Sequence, residues 1–306
     1  MLSPRFSALI LHLSLLAFPS QTHALYTILD DFTGSSFLSG FDFFSGPDPT
    51  KGWVRYQSYA NAVAQGLVEV STNSVYLGVD YKNKAPNGRA SVRLESKKLY
   101  QKGLFVLDVA HMPSSTCGTW PSFWTWGSED KWPVLGEIVS SPSLPIPIPP
   151  PPPPPPLNCD IAAFNQTSNA GCGIASSSAS SFGTPFNAAG GGVFATEWTA
   201  QSIKMWFFPR AGIPADLLLG GPMEPRAWGT PDASFQGECD FDRHFGRQRV
   251  VLDQTFCGDW AGQVWESCAS VEKDCVTYVT NNPAAYRESY WRVNYLRIFK
   301  LVGGRV

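Results

Sequence analysis

Glu137 is the charged residue of this chain that is best placed to do chemistry. It follows an aromatic segment, residues 120–126, and Trp132 stands between that segment and the glutamate. A carboxylate can attack or protonate the anomeric centre of a sugar, while the flat face of an indole can stack on the sugar ring. The combination is typical of sites that hydrolyse glycosidic bonds. Taken by itself, it also fits a surface glutamate beside a patch of the core.

Short strands, rather than helices, must position these residues. The segments predicted as strands are rich in β-branched and aromatic residues and are bounded by Gly, Pro, Asn or Ser. They are 67–70, 75–79, 90–94, 104–109, 192–198, 203–208, 250–253 and 290–299. A short helix is predicted only around 264–275. Many short strands with turns between them predict an all-β fold, a sandwich of two sheets in a single domain.

A proline-rich segment interrupts the region of Glu137. The sequence Glu137-Ile138-Val139 is soon followed by eight consecutive prolines at 149–156, and the chain resumes at Leu157. Proline offers no backbone N–H to a strand ladder, and eight prolines form an extended rod of roughly 25 Å. Such runs also serve as linkers or as ligands of SH3-type grooves, but this run lies within one predicted sandwich. The segment cannot continue a central strand.

The composition favours a neutral ligand. The chain has 306 residues, 43% of them hydrophobic, with a formal net charge of -2 and a pI near 6.1. Nucleic acid or anionic lipid requires a basic surface that this balance of charges does not supply. We therefore expect no nucleic-acid partner and no membrane partner. The chain is expected to act as a monomer.

The first 24 residues have the pattern of a secretory signal peptide. Arg5 precedes an apolar run at 8–18, and Thr22-His23-Ala24 ends in a small residue. A membrane anchor is the alternative, but a spanning helix needs roughly 20 apolar residues, more than this run contains. We expect the mature chain, residues 25–306, to be secreted and extracellular.

Cysteine usage agrees with an oxidising compartment. Seven cysteines follow residue 24, and none forms a Cys-x-x-Cys pair. Disulfides are therefore expected. The odd number leaves one thiol over, which indicates an intermolecular bridge, a free thiol or a missing piece of sequence.

The remaining titratable candidates carry weaker signals. His111 and His244 are the only histidines after residue 24, so no ligand cluster for metal catalysis exists and no metal or other cofactor is expected. His111 fits a hydrogen-bonded structural role. Glu197 fits either a cleft position or a pair with a neighbour.

Ordered motifs run along nearly the whole chain after residue 24. They occupy 88–96, 108–113, 118–124, 132–138, 190–198, 206–210, 213–216 and 255–262. In this order they resemble fungal enzymes of glycoside hydrolase family 16, the laminarinase-like endo-1,3(4)-β-glucanases. The resemblance implies a β-jelly-roll sandwich of the concanavalin A type, with two antiparallel sheets and a concave face that binds β-glucan. It also implies hydrolysis with retention of anomeric configuration.

The family's catalytic signature is Glu-x-Asp-x-x-Glu, and this sequence matches only its first position. Glu137 corresponds to the nucleophile, whereas Val139 stands where the Asp belongs and Pro142 where the acid/base Glu belongs. In a strand, residues i and i+2 share a face, and a bulge of one residue returns i+5 to that face, so the signature gathers three carboxyl groups in one cleft. By resemblance, the residues that line sugar subsites are Trp124, Trp132, Trp260 and Arg93.

Two readings of different class follow. The first is a secreted endo-β-glucanase, impaired as written because the usual loss without the acid is about 10²–10⁴-fold. The second is a non-catalytic β-glucan-binding protein on the same fold. A further hypothesis is that the domain at 25–306 is interrupted at about 139–157 by sequence foreign to the natural protein.

Overall fold

The computed structural model describes residues 25–129, 131–141, 158–164 and 171–302. The predicted signal peptide and the eight prolines lie outside the described residues. Within them, the chain consists mainly of strands joined by turns. In chain order the strands are β1 (Leu25–Thr33), β2 (Phe41–Phe43), β3 (Val54–Tyr56), β4 (Val68–Val70), β5 (Val75–Leu77), β6 (Arg89–Ser91), β7 (Arg93–Ser96), β8 (Gly103–His111), β9 (Thr119–Trp126), β10 (Glu137–Ser141), β11 (Gly192–Trp198), β12 (Ser202–Pro209), β13 (Ala233–Gln236), β14 (Arg249–Phe256) and β15 (Trp291–Val302).

The α-helices are short. They are α1 (Tyr59–Ala64), α2 (Gly183–Ala188), α3 (Ala215–Leu219), α4 (Phe241–His244), α5 (Gly258–Ala261) and α6 (Cys275–Asn281). The helix predicted at 264–275 is wrong in its bounds, because a 3₁₀ turn occupies Trp265–Cys268 and α6 begins only at Cys275. The side chain of Asp274 sets that start by accepting the backbone N–H of Thr277. No helix in the described ranges is long and apolar enough to cross a bilayer.

Two antiparallel sheets form the architecture. The larger has the order β13-β12-β11-β8-β15-β5-β4, and β1 also pairs with β15. The smaller has the order β10-β9-β14-β7-β2, while β3 and β6 form a separate parallel pair. The predicted all-β sandwich is confirmed. The single strand predicted at 90–94 is wrong, because its residues are divided between β6 and β7, which belong to different sheets.

The main core lies between the two sheets. Phe123 on β9, Ile138 on β10 and Leu252 on β14 are buried in it. Side chains alternate along a strand, so Trp124 and Trp126 point to the opposite face of β9. A second apolar cluster, which includes Trp206 and Trp228, covers the outer side of the larger sheet. The outward face of the smaller sheet is where the aromatic segment of β9 remains partly accessible.

Three disulfides are present, as expected from the cysteine usage. Cys117–Cys268 ties the segment between α5 and α6 to the start of β9, and Cys257–Cys275 joins the end of β14 to the start of α6. Cys159–Cys172 closes a third loop. The thiol left over is Cys239, which is free and exposed.

Candidate active site

The site is built on the outward face of β9 and β10. In the antiparallel register, Glu137 lies opposite Trp126, and Val139 lies opposite Trp124. Ile138 between them is 5% exposed and belongs to the core. Alternation therefore places Glu137, Val139, Trp124 and Trp126 on one face. The predicted association of the carboxylate with the aromatic segment is a consequence of this pairing.

The turn before β10 fixes the start of that strand. The carbonyl of Leu135 accepts hydrogen bonds from the Gln248 side-chain amide at 2.9 Å and from the backbone N–H of Gly246 at 3.1 Å. Gly136 has a φ of +74°, a conformation that favours glycine. A Cβ at this position would lie 2.6 Å from the ring of Phe245. This tight passage delivers the chain to Glu137 in a fixed orientation.

Trp132 contacts the carboxylate directly. Its indole Nε1 donates a hydrogen bond to Glu137 Oε2 at 2.9 Å, and its side chain remains 41% exposed. Although Glu137 as a whole is exposed, protein atoms crowd its carboxyl group, and this desolvation raises its pKa above the ordinary value. The hydrogen bond from Trp132 and the positive charge of Arg93 act in the opposite direction. The Trp132 hydrogen bond and the Arg93 charge therefore both favour the ionised carboxylate, the form that a nucleophile requires.

The far half of β10 lacks the expected carboxylates. Val139 is 40% exposed on the face that carries Glu137. The register shifts between Val139 and Ser141, as at a β-bulge. Ser140 turns inward and lies with its Oγ 2.8 Å from Thr196 Oγ1 on the larger sheet. Pro142, the position of the acid/base Glu, lies outside the described residues.

Beside Val139, the indole N–H of Trp126 lacks a hydrogen-bond partner among the described residues. Its Nε1 is buried. Val139, its diagonal neighbour on this face, offers only methyl groups. A buried donor without an acceptor costs about 1–3 kcal/mol. The site thus contains a donor that its surroundings do not satisfy.

Asp253 on β14 anchors the middle of the face. It is 5% exposed, and it accepts hydrogen bonds from Trp124 Nε1 at 3.2 Å and from the Tyr56 hydroxyl at 3.0 Å. Burial raises its pKa to about 6. Sequence reasoning missed Asp253 and Tyr56 as members of the site. A lone carboxylate at the end of the apolar run Val250-Val251-Leu252 was the available signal.

Arg93 lies beneath the aromatic surface rather than on it. Its side chain is only 4% exposed and pairs with Glu95 at 2.8 Å. Its guanidinium lies 5.1 Å from the ring centre of Trp124 and 4.7 Å from that of Phe44. Such burial leaves little surface for a sugar, so the geometry fits a support for Trp124 better than the predicted direct contact.

Trp260 extends the aromatic row at the opposite end of β9. It stands on α5, is 39% exposed and packs edge-on against Trp120 with ring centres 5.5 Å apart. Trp120 points to the same outward face of β9 as Trp124 and Trp126, because residues an even number apart on a strand share a face. The three indoles on β9 span about 20 Å at roughly 3.3 Å per residue of strand.

Two other candidates lie elsewhere. Glu197 accepts a hydrogen bond from the Tyr26 hydroxyl at 3.0 Å, on the larger sheet. His111 stacks on Tyr290, and its Nδ1 lies 3.0 Å from the Tyr290 carbonyl oxygen. Neither adjoins the site of Glu137. Within the described ranges, no group of three or more His, Cys, Asp or Glu side chains is arranged to hold a metal ion.

The β-sandwich fold and the sequence motifs together are those of a class of glycoside hydrolases. The chain belongs to glycoside hydrolase family 16, because residues 41–139 and 156–299 match the family described as "XgeA-like, catalytic GH16 domain". The resemblance found in the sequence motifs is confirmed. The matched ranges leave out residues 140–155.

Two curated relatives give the scale of the similarity. The chain is 40% identical to an endo-1,3(4)-beta-glucanase of Arthroderma benhamiae, over 90% of this chain and 65% of that protein. It is 42% identical to a probable endo-1,3(4)-beta-glucanase of Aspergillus fumigatus, over 96% of this chain and 48% of that protein. The chain therefore spans only about half to two thirds of the length of these relatives.

A solved structure supports the fold over the whole domain. Laminarinase 16A from Phanerochaete chrysosporium superposes with a TM-score of 0.82 at 37% identity, covering 90% of this chain and 100% of that chain. That laminarinase holds two β-glucans, 6-O-glucosyl-laminaritriose, in its donor and acceptor sites. The predicted jelly-roll sandwich is confirmed.

Proposed function

We propose that this chain is the catalytic domain of a secreted, retaining endo-1,3(4)-β-glucanase whose nucleophile is Glu137. As written, the chain is a weak catalyst because its acid/base carboxylate is missing. The observation that carries the proposal is the position of Glu137, which shares the outward face of β9 and β10 with Trp124 and Trp126. Family membership and the names of the relatives support β-glucan as the substrate class.

Glu137 can perform the first chemical step without a metal ion. Its ionised carboxylate attacks the anomeric carbon, and the bond to the leaving oxygen breaks, which gives a covalent glycosyl-enzyme. Water then attacks the same carbon from the opposite side, so the configuration is retained overall. Trp132 holds the attacking carboxylate through its indole N–H. Arg93 contributes a positive charge that favours the ionised form.

The second carboxyl group is what the chain lacks. In a retaining enzyme, an acid about 5–5.5 Å from the nucleophile protonates the leaving oxygen and later deprotonates the water. No Asp or Glu occurs between Glu137 and Asp160. Loss of general acid and base catalysis costs about 10²–10⁴-fold. Unactivated glucan is therefore cleaved slowly.

The indoles supply the binding surface. Trp124, Trp132 and Trp260 are the proposed direct contacts for glucosyl rings, because each keeps part of its surface accessible on or beside the outward face. Arg93 is proposed as the support of Trp124 instead of a sugar contact. Stacking of this kind survives when catalysis is lost, since it needs no proton transfer.

A non-catalytic β-glucan-binding protein is the second candidate. Val139 at the Asp position and Pro142 at the acid/base position favour it, because the binding surface is intact where the catalytic pair is not. In this case Glu137 would accept a hydrogen bond from a sugar hydroxyl rather than attack the ring.

We infer that residues from about 139 to 157 replace a natural segment that carried the Asp and the acid/base Glu. Three observations support this: the family match omits 140–155, Trp126 Nε1 has no acceptor among the described residues, and Cys239 is a free cysteine. Sequencing the transcript across this region tests the inference. An mRNA with the proline codons in frame, together with a secreted product of matching mass, would refute it.

The enzyme and the binder are separated by a substrate that needs no acid. We expect 2,4-dinitrophenyl β-laminaribioside to release dinitrophenolate, because this leaving group departs without protonation. Glu137→Gln removes the nucleophile and lowers the rate by about 10³-fold or more. The matched control is Glu129→Gln, which removes an exposed carboxylate paired with Arg247 and leaves the rate unchanged.

Laminarin completes the experiment. Retention on a laminarin gel without release of dinitrophenolate identifies the binder and overturns the enzyme. Release that is equally fast in Glu137→Gln overturns the role of Glu137. If the protein neither binds laminarin nor cleaves the activated glycoside, both candidates are wrong.

A further inference from the structure

Asp253 contacts an unusual number of polar groups for a residue that is only 5% exposed. Its Oδ1 accepts the Trp124 indole N–H, and its Oδ2 accepts the Tyr56 hydroxyl. Arg93 Nη1 lies 3.9 Å from Oδ2. The Asp253 backbone carbonyl accepts Nε1 of the core residue Trp291 at 3.1 Å. The carboxylate is thus fixed from behind by the core and faces three groups in front.

These groups form one stack under the outward face. The Arg93 guanidinium lies between the rings of Trp124 and Phe44, with the Tyr56 ring centre 6.0 Å away. Trp124 stands on β9, Arg93 on β7 and Tyr56 on β3. A single carboxylate on β14 is therefore the point where side chains from three other strands are joined.

Resting on the proposed function, we propose that Asp253 is a positioning residue that holds the Trp124 indole and the Arg93 guanidinium in the orientation that binds glucan. Loss of its negative charge releases both groups together. Asp253 does not touch the sugar. Asp253 acts through Trp124, whose ring stacks on the sugar, and through Arg93, whose positive charge acts on Glu137.

The charges around Asp253 define how it titrates. The ionised form of Asp253 is favoured by Arg93 on β7, the Tyr56 hydroxyl on β3 and the Trp124 N–H on β9. The negative charge of Asp48, in the loop between β2 and β3, disfavours it. Glu95 neutralises part of the Arg93 charge at 2.8 Å. Burial is the largest influence and raises the pKa of Asp253 to about 6.

Protonation has an unequal effect on the two donors. The Tyr56 hydroxyl can rotate and accept a hydrogen bond from the new carboxyl proton. The Trp124 N–H can only donate; it keeps Oδ1 as its acceptor, but that hydrogen bond loses the negative charge that strengthens it. The Arg93 guanidinium loses a counter-charge at the same time. We therefore expect Trp124 to change its environment when Asp253 gains a proton.

The first experiment needs no glucan. Tryptophan emission of the full chain is recorded from pH 4 to pH 8, and a transition with a midpoint near 6 is expected. Asp253→Asn and Trp124→Phe each abolish this transition. The matched control is Asp216→Asn, since Asp216 accepts the N–H of another indole, Trp228, on the larger sheet. A transition that survives in Asp253→Asn overturns the proposal.

Tyr56→Phe provides a second test that does not depend on the folding of Asp253→Asn. It removes a hydrogen bond that lowers the pKa of Asp253, so the midpoint moves to higher pH. A midpoint that stays in place contradicts the proposed connection.

The final arm measures binding of laminarihexaose at pH 7. Asp253→Asn weakens binding about tenfold, as expected when a charge-assisted hydrogen bond is lost, and Asp216→Asn binds like the wild type. Equal binding by Asp253→Asn and wild type overturns the positioning role. If the wild type does not bind the oligosaccharide, the proposed function fails, while the emission titration still decides whether Asp253 controls Trp124.

Discussion

The outward face of the smaller sheet has two halves that differ in completeness. Around Trp124, the indole N–H and the Tyr56 hydroxyl both donate to Asp253, which joins four strands. Around Glu137 and Val139, the Trp126 N–H lacks an acceptor within the part of the chain that the structure describes, and one carboxylate stands where the family's signature has three. Under the proposed function, binding and catalysis are carried by separate groups on this sheet, so that one can persist without the other.

The largest expected effect comes from an external nucleophile that makes the absent acid/base carboxylate unnecessary. Sodium azide attacks a glycosyl-enzyme without needing a general base, so it replaces the deprotonated water in the second step. We expect azide to speed turnover of the dinitrophenyl laminaribioside by up to about 10²–10⁴-fold, with β-laminaribiosyl azide as product. Proton NMR of the product identifies the retained configuration. Turnover that does not respond to azide would mean that the catalytic half is complete or that Glu137 forms no covalent intermediate.

Trp124→Phe tests the complete half. We expect about tenfold weaker binding of laminarihexaose, because the smaller ring stacks less surface and the anchor to Asp253 is lost. Trp228→Phe makes the same chemical change at an indole that also donates to a carboxylate, Asp216, but on the larger sheet. Calorimetry on both variants is the measurement. Equal losses of affinity would show that the effect is general destabilisation.

The stability of the protein reports on Asp253 as pH changes. Its pKa lies at about 6 in the folded state, above the ordinary value of 3.8, so between these values the folded state holds more protons than the unfolded state. The contribution of Asp253 to the free energy of unfolding is therefore greatest below this window and falls as pH rises to about 6. We expect the difference between wild type and Asp253→Asn to fall by on the order of 1 kcal/mol or more across it. Urea titrations at pH 4 and pH 7 provide both values, and a difference that rises with pH contradicts the assignment.

Trp260 lies at the end of the aromatic row, and its substitution is expected to give the smallest loss of binding affinity. Trp260→Ala removes an exposed ring at the end of the row, where a longer glucan is needed to reach it. We expect about threefold weaker binding of laminarihexaose and no change for laminaribiose, with the rate on the dinitrophenyl glycoside unaltered. A loss as large as that of Trp124→Phe would shift the centre of the binding surface toward α5.

Most of the sandwich is predictable from sequence because its strands are local patterns. The segments at 104–109, 192–198 and 203–208 became β8, β11 and β12 with small changes of boundary. β9 escaped prediction as a strand because three indoles and Pro121 obscure its alternation. β10 pairs only with Phe123–Trp126 of β9. Among the described residues, the edge of β9 at Pro121 that faces β10 therefore has no strand partner, which is where a proline is tolerated.

The site was predictable only in part. The family's spacing identified Glu137, and strand alternation places it beside Trp124 and Trp126 once β9 is known. Asp253 was not identified, because its partners are 129 residues away at Trp124 and 197 residues away at Tyr56. Such pairings depend on the order of strands in the sheet, which no local pattern specifies. The burial of Arg93 was hidden for the same reason.

The disulfides beside β9 determine which cells can produce a complete protein. Cys257 directly precedes α5, the helix that carries Trp260, and its bond to Cys275 holds that helix in place. In a reducing bacterial cytoplasm this bond does not persist. Protein made there keeps the Asp253 anchor but presents a shorter aromatic row, whereas an oxidising secretory route in yeast delivers the full surface.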